Sequence, residues 1–303
     1  MIEQTQMDHS LLNISQSSRQ MILPILVLYN VTLESSTTFQ TFITSARYGG
    51  LDPTLIAVYD NSPVSHVNSG EEAHLFAYKH DPSNGGIAAA YNWALGIARS
   101  HGYSWLLLLD QDSSLPITFQ AFVSEAVRLY STNNSVVAIV PRVTDRGGAI
   151  SPKRVRFGRL APLPEPGPQV ADYEVAAINS GTVVKVSFVE SLGGFNQAYW
   201  LDCLDHWLFR QIYAHGKKVA LSASVLEHNL AGSDYRNQIS LVRYESILSA
   251  EELFVTTEKR RAEILVYIIR LMARALKQLV IYRRPELAEL TCTKVIKMIK
   301  YGA

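Results

Sequence analysis

The 303-residue chain is 48% hydrophobic and carries 28 Lys and Arg against 27 Asp and Glu. That is enough apolar material for one large domain, or one domain with an appendage, and the near-neutral balance gives no sign of a nucleic-acid partner. No apolar run is long and charge-free enough to span a bilayer, so the expected protein is soluble or peripheral.

Met1 to Gln20 is polar, lacks the apolar centre of a secretory signal and is expected to be a flexible leader. Cys203 and Cys292 are too few and too far apart for a disulfide framework and are read as reduced thiols of a cytosolic protein. From Ile22 the pattern changes. Ile22 to Tyr29 is an apolar run of strand type ending at Asn30, followed by a helical pattern over roughly 33–46. Leu55 to Tyr59 is a second strand, ending in Asp60-Asn61-Ser62, and Leu75 to Tyr78 a third, leading into Asn84-Gly85-Gly86 and a helix over about 87–100. Leu106 to Leu109 is a fourth strand, and Phe119 to Tyr130 a further helix. Strands alternating with helices of this length predict β-α-β units and an α/β fold with a mostly parallel sheet.

Later, Val136 to Pro141 reads as a strand, and residues 142–170 as a long surface excursion of the kind that forms lids or binding loops. Ile178 to Val184 returns to strand character, 204–215 is helical, and Val219 to Leu226 is a last strand with His228 just beyond it.

The most telling stretch is Leu106-Leu107-Leu108-Leu109-Asp110-Gln111-Asp112. A buried strand that ends in two acids one residue apart sets like charges side by side, which is costly unless a cation joins them. Hard divalent metals take carboxylate oxygens, so the run is read as a metal-and-phosphate site. In open α/β sheets ligands gather at the carboxyl ends of strands, and Asn30, Asp60 and the Asp110–Asp112 run all stand at such ends.

These blocks, in this order, resemble family 2 glycosyltransferases of the GT-A fold, in particular their rhamnosyltransferase-like branch. Asn179-Ser180-Gly181, Gly193-Gly194-Phe195, the 201–207 block Leu-Asp-Cys-Leu-Asp-His-Trp and His228 agree, so the resemblance covers roughly residues 22–235. It implies a Rossmann-like GT-A domain over 21–235, and a helical region over 236–303 is expected beyond it. It further implies inverting transfer of a sugar, expected to be L-rhamnose from dTDP-L-rhamnose, onto a cell-surface polysaccharide or lipid-linked glycan. Donor contacts would come from Asn30, Asp60 (to the base), Asn84 and Gly85 (along the diphosphate or sugar), Asp110 and Gln111. Asp112, His228 and Asp110 would hold Mg²⁺ or Mn²⁺. Asp205 would be the general base, with Asp202 in reserve, and Trp207, Asn179 and Ser180 would face the acceptor. The 201–207 block departs from the family: the second acid after the base is missing, and His206 and Trp207 follow Asp205 directly.

Each residue also has a plainer reading. Asp60 could cap its own turn, Asn84-Gly85-Gly86 could be a turn and helix N-cap, and His228 could be structural. Asp202 and Asp205 could cap a helix, and Trp207 could be a core aromatic.

Beyond Lys259 the chain turns basic. A helix to about Arg284 is expected, with Ile264, Ile268, Leu271 and Leu279 on one side and Arg270, Arg274, Lys277 and Arg284 on the other. A second basic stretch runs from Thr293 to Tyr301. Such helices suit an anionic membrane surface, here the inner face of the cell membrane, with packing on the main domain or self-association into a homo-oligomer as alternatives. Two other functions share the motif pattern: a haloacid-dehalogenase-like phosphatase using D-x-D, and a non-catalytic sugar-binding protein with the same fold.

Overall fold

The computed structural model describes residues 21–49, 56–67, 75–145, 148–156, 158–163, 168–228 and 239–301. The expected leader and the expected boundary at 235/236 lie outside them. In chain order the elements are β1 (Ile22–Leu28), α1 (Thr37–Tyr48), β2 (Ala57–Asp60), β3 (Ala77–His80), α2 (Gly86–Ser100), β4 (Trp105–Leu109), β5 (Ser113–Ser114) and α3 (Phe119–Tyr130). Then come β6 (Val136–Asp145), β7 (Gly148–Ser151), β8 (Lys153–Arg156), β9 (Arg159–Ala161), β10 (Gln169–Val170), β11 (Val175–Ala176), β12 (Val183–Lys185) and α4 (Val186–Ser191). The chain continues through α5 (Leu204–Ala214), β13 (Lys218–His228), α6 (Leu241–Glu258), α7 (Arg261–Val280) and α8 (Pro285–Tyr301).

The main sheet runs β10-β13-β6-β12-β4-β1-β2-β3, with β5 on β13 and β7 on β6. β3, β2, β1 and β4 are mutually parallel, and β13 is parallel to β6. The three-residue β12 lies between β4 and β6 and runs against both. The result is the expected α/β architecture with helices on both faces and a C-terminal helical extension.

Because both faces are covered, the central strands are apolar without alternation. All five side chains of β4 are fully buried. On one face Leu23, Ile25, Leu106 and Leu108 pack with Ala90, Tyr91 and Ala94 of α2 and with Trp207 and Leu208 of α5. On the other, Leu26, Leu28, Leu107 and Leu109 meet Phe42 of α1 and Phe119, Val123 and Val127 of α3.

Three expectations are corrected. The 142–170 excursion is largely strand: β6 continues to Asp145, β7 folds back on it, and β8 and β9 join β11 in a separate three-stranded sheet. The strand expected over 178–184 is shortened to β12, residues 178–182 forming the turn before it. Beyond Lys259 stand the two helices expected, but a third, α6, precedes them and had gone unread. The faces of α7 also differ: Leu279 points outward, whereas Arg274 turns inward to a bidentate pair with Glu251.

α6, α7 and α8 share a core of Tyr244, Leu248, Ile264, Leu271, Leu287, Val295 and Met298. Within it, the buried Gln278 donates to the Tyr244 hydroxyl (2.7 Å), and Thr291 bonds both Tyr244 (2.7 Å) and Gln278 (2.9 Å). Every polar group of this seam is satisfied, as burial requires.

Candidate active site

Strand β4 delivers Asp110 and Asp112 to its carboxyl end, and β13, two positions beyond β12 in the sheet, ends at His228. The pairing of His228 with Ser113 across β13 and β5 sets the histidine beside the two acids. Asp110, Asp112 and His228 each offer one ligand atom, and these atoms lie within 4.8 Å of one another. His228 Nδ1 is 3.4 Å from Asp110 Oδ2 and 3.7 Å from Asp112 Oδ1, and it shares a 2.9 Å hydrogen bond with Ser113 Oγ. Partial burial, then the charge of Asp110, hold the Asp112 carboxyl above its ordinary range, against the pull of His228.

The donor set fits a hard divalent cation. Two carboxylates and one imidazole suit Mg²⁺ or Mn²⁺ better than a thiolate metal. Asp110 Oδ1 is buried with no hydrogen-bond partner among the described residues, and an orphaned carboxylate oxygen is costly unless a ligand or cation takes it. The other oxygen, Oδ2, accepts a short hydrogen bond from Ser180 Oγ.

From Asp110 a cavity of about 540 Å³ runs beneath α6 and α7, within the range that holds a small-molecule ligand. Its lining draws Asp110, Asn179 and Ser180 from the sheet, Asp202, Asp205 and His206 from the start of α5, and Glu251, Phe254 and Tyr267 from α6 and α7. Asn179 Oδ1 is a second buried acceptor with no partner among the described residues. Tyr91 lies fully buried beside the cavity. Burial, then the charges of Asp110 and Asp205, push its hydroxyl far up, so it stays protonated. The same phenol therefore reports two carboxylates distant in sequence.

Asp205 stands in the first turn of α5, where an acid complements the helix dipole. Its Oδ1 accepts from the His206 amide at 2.7 Å. The preceding Cys203 adopts a left-handed backbone, φ 63°, a conformation that costs a non-glycine residue on the order of 1–2 kcal/mol. That turn swings the chain into the helix. Burial, then Asp205, raise the Cys203 thiol well above its ordinary range, which removes it as a thiolate nucleophile. Asp202 is differently placed: Arg243 of α6 grips both its oxygens, one contact at 2.7 Å. Both Asp202 oxygens are thereby engaged by one guanidinium, which leaves Asp205 the more available carboxylate of the two.

Other expected residues serve the chain itself. Asp60 is fully buried, and its oxygens accept from Ser62 N (2.9 Å), His66 N (3.0 Å) and Tyr78 OH (3.3 Å), the turn-capping arrangement. Gln111 staples two strand ends, accepting from Tyr29 N (2.7 Å) and donating to Tyr29 O (3.3 Å). Asn30, at φ 55°, donates its amide to Ser62 Oγ (2.8 Å). At the N-terminus of α2 the Gly85 amide donates to Asp81, that of Gly86 to Asn61, and that of Ile87 to the Trp200 carbonyl. The Trp200 indole donates to the Asn84 carbonyl at 2.8 Å. A Cβ on Gly86 would lie 2.2 Å from the Trp200 carbonyl oxygen, so glycine there permits backbone contact. Trp207, expected against a sugar, is a core side chain only 6% exposed and is absent from the lining of the cavity.

Sequence reasoning missed Ser113, Tyr91, Arg243 and Trp200. Only Ser113, adjacent to the paired acids, carried a local signal. The others reach the site through tertiary packing.

No protein-family model matches the chain, and no curated protein matches it. Among solved structures it is similar to S. aureus TarS. The likeness to a crystal structure of TarS residues 1–349 has a TM-score of 0.47 at 13% identity, covering 93% of this chain and 92% of that one. To the same fragment in complex with UDP the TM-score is 0.47 at 11% identity, with 93% and 92% covered. To a longer TarS structure it is 0.46 at 11%, with 91% and 53% covered.

Proposed function

We propose that the protein is an inverting glycosyltransferase that moves a sugar from a nucleoside-diphosphate donor to a hydroxyl acceptor. The observation that carries this reading is the opening of Asp110 and Asp205 onto one cavity, with Asp112 and His228 beside Asp110. The sheet side offers a cation site for a diphosphate, and the start of α5 offers a carboxylate for a proton.

Asp110, Asp112 and His228 would hold Mg²⁺ or Mn²⁺, which when bound supplies Lewis-acid neutralisation of the departing diphosphate. Ser180 fixes the Asp110 carboxylate through its hydrogen bond. Asp205 takes the proton of the acceptor hydroxyl as that oxygen bonds the anomeric carbon. The bond from the anomeric carbon to the diphosphate breaks in the same displacement, and the configuration inverts. The donor sugar is L-rhamnose carried on dTDP, and the acceptor a glycan, free or lipid-linked, lying under α6 and α7. Asn30, Asp60 and Gln111 at the strand ends, with Asn84 and Gly85 at the N-terminus of α2, shape the donor side.

Nucleoside-diphosphate release is measured with Mn²⁺ against a panel including dTDP-L-rhamnose, UDP-hexoses and UDP-galactofuranose. Release from dTDP-L-rhamnose supports the reading, and none from any donor removes it. Asp205→Asn should lower transfer by 10²–10⁴-fold, the usual contribution of a general base, with donor binding by calorimetry preserved. Asp112→Ala should abolish the metal-dependent part of donor binding. Normal transfer by Asp205→Asn would show that the base is elsewhere.

A further inference from the structure

α7 carries two apolar stripes. The inner one, with Ile264, Tyr267, Leu271 and Ala275, is buried. The outer one runs Leu265, Ile269, Met272, Leu276 and Leu279, at alternating steps of four and three residues, and each side chain is at least half exposed. Steps of four and three keep these residues on one line of the helix. Val280 and Ile281 extend it, and Ile296 and Ile299 stand exposed on neighbouring α8. An open apolar surface of this extent on an otherwise well-packed chain calls for an occupant.

The charges around it select one. Residues 259–303 hold eleven Lys and Arg against three Glu, although the whole chain is nearly neutral at +1. Arg261, Arg270, Lys277, Arg283 and Lys297 are exposed on the two helices or the turn joining them. Of the three acids, Glu263 pairs with Lys259 and Glu286 with Arg284, which leaves Glu289 as the one exposed carboxylate among the described residues of α7 and α8. Two copies of this face laid together would oppose basic flank to basic flank. A bilayer rich in anionic headgroups offers the complementary charge and an apolar interior at the same surface. Among the described residues no helix is long and apolar enough to cross a membrane, so the geometry is that of a helix lying in the interface.

We propose that the outer face of α7, continued by α8, docks the protein in-plane on an anionic lipid bilayer, the inner face of the cell membrane being its natural counterpart. The inference does not depend on the transfer chemistry.

The full chain is sedimented with phosphatidylcholine vesicles, with and without phosphatidylglycerol. The expected result is pelleting that needs phosphatidylglycerol and weakens with salt. Ile269→Glu with Leu276→Glu should reduce partitioning by at least about tenfold, since two apolar contacts are lost and two like charges gained. Circular dichroism should be unchanged, because both side chains point away from the core. Lys277→Gln with Lys297→Gln should reduce the preference for phosphatidylglycerol while leaving the apolar contacts in place. Failure of the unmodified chain to pellet with phosphatidylglycerol vesicles overturns the proposal, as does equal pelleting of the Glu variant. So does a dimer by light scattering that the Glu substitutions split while vesicles bind neither form.

Discussion

Asp81 shows at the scale of one residue how this rim is held. Its carboxylate accepts from Ser83, from the Tyr59 hydroxyl at 2.7 Å and from the Gly85 amide at 3.0 Å. The Ser83 and Tyr59 bonds are the main causes that lower its pKa from 3.8 to about 2. A carboxyl depressed in the folded state adds stability above its unfolded pKa and loses it as pH falls through the folded value. Asp81→Asn should therefore be less stable than the parent at neutral pH, and the gap should close between about pH 4 and pH 2. Urea denaturation across that window checks it. Asp81 carried no sign of this role in the sequence, whereas the neighbouring Asp60 and Asn84 drew attention as ligand contacts. The reason is physical: a carboxylate that caps a turn and one that binds a ligand look alike until their hydrogen-bond partners are known. The paired acids at 110 and 112 were legible because an apolar strand makes their crowding expensive, and packing alone offers no relief.

Among elements, those with a strong physical pattern were readable and those without it were not. β1, β4 and α3 lie within a residue of where apolar runs and helical spacing put them. The stretch 142–170 failed because β8 and β9 are short and rich in Arg, with no buried face to impose alternation. α6 failed because it is contacted from several sides, by the α5 region through Arg243 and by α7 and α8 through Tyr244 and Leu248, so no single polar face remains. The seam between these helices gives a contrast. Thr291→Val leaves Tyr244 and Gln278 short of a partner inside the core and should cost about 1–3 kcal/mol in urea denaturation. Leu276→Ala, on the outer stripe, should stay within about 0.5 kcal/mol of the parent.

For the molecule as a whole, the helical extension is part of the site. Phe254 packs edge-on to Tyr199 at 6.4 Å and lies 5.7 Å from His206, and it lines the same cavity as Asp205. Phe254→Ala should therefore raise the acceptor KM about tenfold while donor hydrolysis without acceptor stays near the parent rate. Steady-state kinetics with each substrate varied separates the two. Loss of both together would mean that the wall supports the fold rather than the acceptor.

The short strand β12 has a consequence for how such a molecule could change its habits. Running opposite to its two neighbours, it presents its beginning, not its end, beside the carboxyl end of β4. The turn of residues 178–182 thereby reaches Asp110 from the far side of the sheet's usual traffic. Lengthening that turn would rewrite what the rim recognises, whereas an equal insertion after Lys185 would fall at the opposite border and go unnoticed by any guest.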